Sequence, residues 1–335
     1  MLAAILVSAC VSDPSSSGPP VGPPSARGVY VVNEGGFGQG NASLTYYDPA
    51  TGRVEEDVFA AVNGRPLGDV ANSMVIRGGR GYIVVNNSNT VEVIDVSNHS
   101  SVGTINVGTG RSPRQMVFLN DSTAAVTALY DDAVILLNLR TLTTAERIPV
   151  GPNPDGIALD GRKAFVANSG LGSGHTVSVI DLDLLAAVRT IDVPTNPYEV
   201  HRTGEGLIYV LCAGTFLPPT PASIVVLDPV TERLIDTIAL GAQAFRMGMG
   251  TGGRAYVPLG DSVLTLNTRE HRVEGTLTRG MAFYGVAVDT ASHIVYLSDA
   301  GNFTQAGSVH LVAESGLPIT TFVAGVIPGW FAFKR

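Results

Sequence analysis

Residues 81–95 read GYIVVNNSNTVEVID. Two short β-branched runs, Tyr82–Val85 and Val91–Ile94, flank an Asn-Asn-Ser-Asn turn, and the second run ends on Asp95. Short β-branched apolar runs of this length, bounded by turn formers, specify two antiparallel strands. The first run returns as GVYVVNE at Gly28, TAAVTAL at Thr123, KAFVANS at Lys163, LIYVLCA at Leu207, RAYVPLG at Arg254 and IVYLSDA at Ile294. Its anchors (Tyr30, Tyr82, Ala125, Phe165, Tyr209, Tyr256 and Tyr296) lie about 40–50 residues apart. The partner strand returns too and often ends in Asp or Asn, at Asp48, Asn138, Asp181, Asp228 and Asn267.

A third strand follows each pair, as in TGRVEEDVF, VGTINVG and AAVRTIDV. A fourth opens the next unit, frequently after proline, as in SPRQMVFL and NPDGIAL. Four short strands per period define the blade of a β-propeller, and the count predicts seven blades. The ends agree. The first unit lacks an innermost strand, and the last supplies a spare one at Trp330–Phe333, so the two pair to close the ring. The expected class is therefore all-β, a seven-bladed β-propeller spanning 28–335.

Composition supports this. Among 335 residues, Gly 39 and Pro 20 suit many tight turns, and 45% hydrophobic content is ample for a packed interior. A net charge of −8 without basic clusters removes the electrostatic basis for binding nucleic acid.

Residues 1–10, MLAAILVSAC, form an apolar run too short to span a bilayer and resemble a bacterial lipoprotein signal. That resemblance implies lipidation at Cys10, export, and attachment to the outer membrane or cell surface through the lipid alone. Residues 11–27 read as a Pro/Ser/Gly-rich tether. Cys212 is then the one remaining thiol, which excludes a disulfide framework.

The repeats resemble the YVTN or YncE-like family of bacterial surface propellers, through Tyr82-Ile83-Val84-Val85-Asn86, Phe165-Val166-Ala167-Asn168 and Val150–Ala158. Asn33–Pro49, Gly68–Met74 and Ser112-Pro113-Arg114 resemble more narrowly a group of Bacteroidota lipoproteins. Some of these capture cobalamin or another corrinoid for a TonB-dependent transporter. The resemblance implies a small-molecule ligand, a transporter partner and no resident cofactor.

Chain direction places a site. With strands running from the axis outward, the loops between strands two and three and those crossing to the next blade emerge on one face, around the channel mouth. The crossing loops bring Asn72, Arg114, Asp155, Tyr198, Glu199, Arg246, Tyr284 and Trp330 there. The other loops add Asn33, Glu34, Phe37, Asn86, Tyr130, Asn168, Phe216, Asp299 and Phe303. Aromatic faces and amides suit a large, flat, amide-bearing ligand. The same aromatics can instead pack between blades, and the asparagines can bond their own turns.

Catalytic signatures are weak. GxSxG is absent, the six histidines show no HxxxH or HExxH spacing, and Gly248–Gly253 has no helix after it. No catalytic or metal-binding residue is therefore assigned, and binding rather than turnover is expected. The alternatives are a surface scaffold for a protein partner or a lactonase-like hydrolase.

Overall fold

The computed structural model describes residues 27–335, and the signal, Cys10 and nearly all of the tether lie outside them. Seven four-stranded antiparallel sheets make up the described residues. In the first blade the order from the axis is Pro328–Lys334, Gly28–Asn33, Ser43–Asp48 and Arg53–Glu55. The last strand of the chain thus pairs with the first, Val29 opposite Phe333 and Val31 opposite Phe331. The other six blades run in sequence order from the axis to the rim.

Each blade's second strand lies between both neighbouring blades, so its two faces are buried. Lys163–Asn168 and Ile208–Cys212 are almost wholly inaccessible, whereas the outermost strands, such as Thr143–Pro149, face solvent along most of their length. This explains why the second strands read as nearly continuous apolar runs rather than as an alternation. Phe165, Tyr209, Tyr256 and Tyr296 are among the largest fully buried side chains. Cys212 is a buried core residue whose thiol burial pushes up to about 12, so it is inert at neutral pH.

The recurrent Asp or Asn has a local cause. Its carboxylate or amide oxygen accepts the backbone N–H two residues on, from Ser97 to Asp95 at 2.7 Å, Asp183 to Asp181 at 2.8 Å and Val230 to Asp228 at 2.9 Å. These Asx turns reverse the chain into the outermost strand. Each closes on a left-handed residue four positions on: Gly52, His99, Leu142, Leu185, Glu232 and His271, with φ between 50° and 73°.

Two stretches differ from the sequence expectation. The strand expected through TGRVEEDVF stops at Glu55, and Val58–Asn63 forms a short helix capped by Asp57. That helix buries Val58 and Phe59 as neighbours, whereas on an outermost strand adjacent residues point to opposite faces and one of the two would face solvent. The innermost strand of the sixth blade shrinks to Gly248–Met249, leaving residues 240–247 irregular.

Candidate functional site

The face predicted from chain direction gathers eight of the expected residues into one connected polar layer across the channel. Arg114, on the third blade's inner strand, is its most fully engaged member. It donates to Asp155 Oδ2 at 3.1 Å, Asn72 Oδ1 at 3.0 Å and the Tyr198 hydroxyl at 2.8 Å. Four consecutive blades are joined through this one guanidinium. Burial opposes its charge, but Asp155, Tyr198 and Glu34 together outweigh that penalty and hold it protonated.

Arg246 completes the layer from the irregular crossing before the sixth blade's strand. Its guanidinium lies 3.4 Å from Glu34 Oε1 and 3.6 Å from Glu199 Oε1. It sits 5.6 Å from the ring centres of both Tyr198 and Tyr284, a cation between two π faces. The Tyr284 hydroxyl donates to Glu34 Oε1 at 3.0 Å, and burial keeps that phenol protonated by raising its pKa. Glu199 Oε2 accepts the Met247 N–H at 2.7 Å and lies 3.2 Å from His201 Nε2.

Close backbone approach is what lets these side chains meet. A Cβ on Gly156 would stand 2.6 Å from the Tyr198 carbonyl oxygen, and one on Gly329 would fall on Glu34 Oε1. Glycine is required at both positions because strands converge there on the axis.

Above the layer stand exposed aromatics. Phe37 is 77% accessible, Tyr130 62%, Phe303 52% and Phe216 51%. Phe216 stacks on Phe245 at 5.8 Å with the planes 7° apart, and Phe245 meets the Tyr198 edge at 5.9 Å. On the far side Phe303 meets Tyr284 at 5.6 Å. Phe216, Phe245, Tyr198, Arg246, Tyr284 and Phe303 therefore form one unbroken tract across the mouth.

The loops carrying these rings are held. Gly38 donates to both Asp69 carboxylate oxygens, at 3.1 and 3.0 Å, and Asn87 Nδ2 to one of them at 2.6 Å, which pins the Phe37 loop to the second blade. Gln243 Nε2 donates to the Thr215 carbonyl at 2.7 Å beside Phe216.

The other candidates do not join the tract. Asn33, Asn86 and Asn168 are buried, and their amides serve the fold: Asn33 donates to Thr45 at 3.0 Å, Asn86 to Ser112 at 2.6 Å, and Asn168 to Thr176 at 2.9 Å. Asp299 accepts the Gly301 N–H at 2.7 Å and so closes its own turn. Trp330, expected at the mouth, stands lower in the channel wall, its indole N–H bound to the Met74 carbonyl at 3.1 Å.

Below the polar layer the channel holds a cavity of about 190 Å³. It is lined by Met247, Met249, Val286 and Val288, residues that sequence reasoning did not single out as site residues. A signal was available for Val286 and Val288, an i, i+2 pair on an innermost strand where alternate residues face the axis. Among the described residues no three His, Cys, Asp or Glu side chains are grouped to hold a metal ion.

Fold and site define a seven-bladed propeller whose channel is crossed by a buried ionic layer beneath an aromatic rim. Residues 27–240 match the Domain of unknown function family (DUF5074), and the chain belongs to that family.

Solved structures show the same architecture at low identity. A quinonprotein alcohol dehydrogenase-like protein (BT1487) of Bacteroides thetaiotaomicron VPI-5482 aligns at a TM-score of 0.71 and 14% identity, over 93% of this chain and 79% of that one. Hydrazine synthase of Kuenenia stuttgartiensis aligns at 0.66 and 16%, over 78% and 88%. Apo AztD of Citrobacter koseri aligns at 0.60 and 11%, over 92% and 97%. At these identities the likeness is one of fold. No curated protein matches the sequence.

Proposed function

We propose that the protein is a lipid-anchored surface binding protein whose channel-mouth rim captures a large, flat small molecule, a corrinoid, and passes it to an outer-membrane transporter. The observation that carries this reading is the aromatic tract from Phe216 to Phe303, exposed at both ends and backed by a polar layer. Exposed rings on loops already tied down offer stacking area at little ordering cost. The channel cavity of about 190 Å³ is below the range of sites that enclose drug-sized ligands, so a large ligand lies across the rim instead. The chemistry is binding: rings stack on the ligand faces, neighbouring amides and backbone groups meet its edge, and no bond is made or broken.

The test is calorimetric titration of the purified chain with cobalamin, repeated on Phe216→Ala and Phe303→Ala. Saturable binding weakened about tenfold by either substitution, roughly 1.4 kcal/mol, is expected. An absence of heat at tens of micromolar ligand rejects the corrinoid. Binding that ignores both substitutions rejects the rim.

A further inference from the structure

The two buried arginines of the layer are not equally satisfied. Arg114 makes three hydrogen bonds between 2.8 and 3.1 Å. Arg246 reaches Glu34, Glu199 and the Phe245 carbonyl only at 3.4 to 3.6 Å, and its Nε–H is buried without a partner. A buried guanidinium short of acceptors is unusual, because each unmet donor carries a desolvation cost. Arg246 also forms part of the wall of the channel cavity, at the end nearest the mouth, whereas Arg114 does not.

Glu199 and His201 share the polar side of that wall with Arg246, and the rest of it is apolar. Met249, Val288 and Phe333 lie further along the inner strands, with Trp330 and Val286 between. Away from Glu199, His201 and Arg246 the wall offers water no polar side chain except the Trp330 indole N–H, which the Met74 carbonyl already takes, and ordered water needs two or more polar partners. An apolar cavity of about 150 Å³ accepts benzene, so about 190 Å³ has the volume for a six-membered ring with one small substituent placed toward the polar side.

Charge narrows the ligand further. The layer already sets Glu34, Asp155 and Glu199 against two guanidiniums, so Arg246 lacks an acceptor and not a counter-ion. An anion entering beside Glu199 meets net repulsion as well as its own desolvation.

We propose that the channel is a second binding site, separate from the rim, for a small neutral ring compound whose single acceptor oxygen bonds the Arg246 guanidinium while its ring fills the apolar wall. The site does not depend on the corrinoid reading, and a small molecule or one ring of a larger one meets the same requirements.

Trp330 supplies the readout. The chain has one tryptophan, so labelling tryptophan with ¹⁵N gives a single indole signal from the cavity wall. Cyclohexanone is titrated as the probe, with cyclohexanecarboxylate as the anionic comparator. The expected result is a saturable shift with a Kd of about 1 mM or tighter for the ketone, and at least tenfold weaker binding of the carboxylate. Val288→Phe should abolish the shift by filling the cavity, with Met249→Phe as the substitute should that variant not fold. Phe216→Ala and Phe303→Ala should leave it unchanged, which separates this site from the rim. Absence of a saturable shift, equal binding of the carboxylate, or persistence of the shift in the filled variant would overturn the proposal. A failure of cobalamin to bind would leave it standing.

Discussion

Acidification should destabilise this propeller through His99, a residue outside the candidate site. His99 is fully buried in the turn after Asp95, its ring 5.5 Å from that of Tyr30 and 5.1 Å from that of Tyr46. Nδ1 lies 2.9 Å from the Tyr30 hydroxyl, which in turn reaches the Val96 carbonyl at 3.4 Å. Nε2 is buried with no partner. The arrangement suits a neutral ring that donates through Nδ1 and leaves a bare lone pair at Nε2. Protonation would place a charged N–H where nothing can accept it. Burial accordingly pulls the imidazole from 6.5 down to about 4, with Lys334 adding to the effect.

Because the folded value is the lower one, the unfolded chain takes up the proton first. Stability from this group is complete above about pH 6.5 and is lost as pH falls to about 4. A gap of about 2.5 pH units at about 1.4 kcal/mol each amounts to about 3.5 kcal/mol in full, of which about 3 kcal/mol is lost by pH 4. His99→Asn is the control. Asn tolerates the φ of 62° at this position and does not titrate, while the carboxylate background is shared. Denaturant unfolding of both proteins at pH 7, 6, 5 and 4 should show the native chain losing about 3 kcal/mol more than the variant. Parallel curves across that range would refute the buried neutral imidazole.

Other outcomes follow from packing. Gly329→Ala should push Glu34 away from Arg246 and Tyr284 and lower stability by about 1–3 kcal/mol in thermal unfolding, with the blades intact. Arg246→Gln should cost about 3–5 kcal/mol in denaturant melts, because Glu34 and Glu199 remain buried without their cation. Phe165→Ala, which empties a fully buried ring position between blades, should cost about 3–5 kcal/mol by the same measurement. Truncation after Val326 removes the strand that closes the first blade, and size-exclusion chromatography should show self-association through the freed edge of Gly28–Asn33.

The amino-acid sequence by itself determined the architecture. Local rules were sufficient, because each blade repeats an apolar second strand and a polar outer strand, six of the seven join the last two strands through an Asx turn, and the unpaired strands at the two ends complement each other. Chain direction alone also placed Arg114, Asp155, Tyr198, Glu199, Arg246 and Tyr284 on a common face.

Tertiary structure decided which of those residues meet and which are spent on the fold. Asn86 and Phe216 look equally suited to a ligand in the sequence, yet one amide is buried against Ser112 while the other ring is half exposed. The helix at Val58–Asn63, the two-residue inner strand of the sixth blade and the incomplete hydrogen bonding of Arg246 arise from contacts between residues far apart in the chain. Periodicity records which way a side chain faces along its own strand. Distances between blades depend on how seven sheets pack around one axis, which no single repeat encodes.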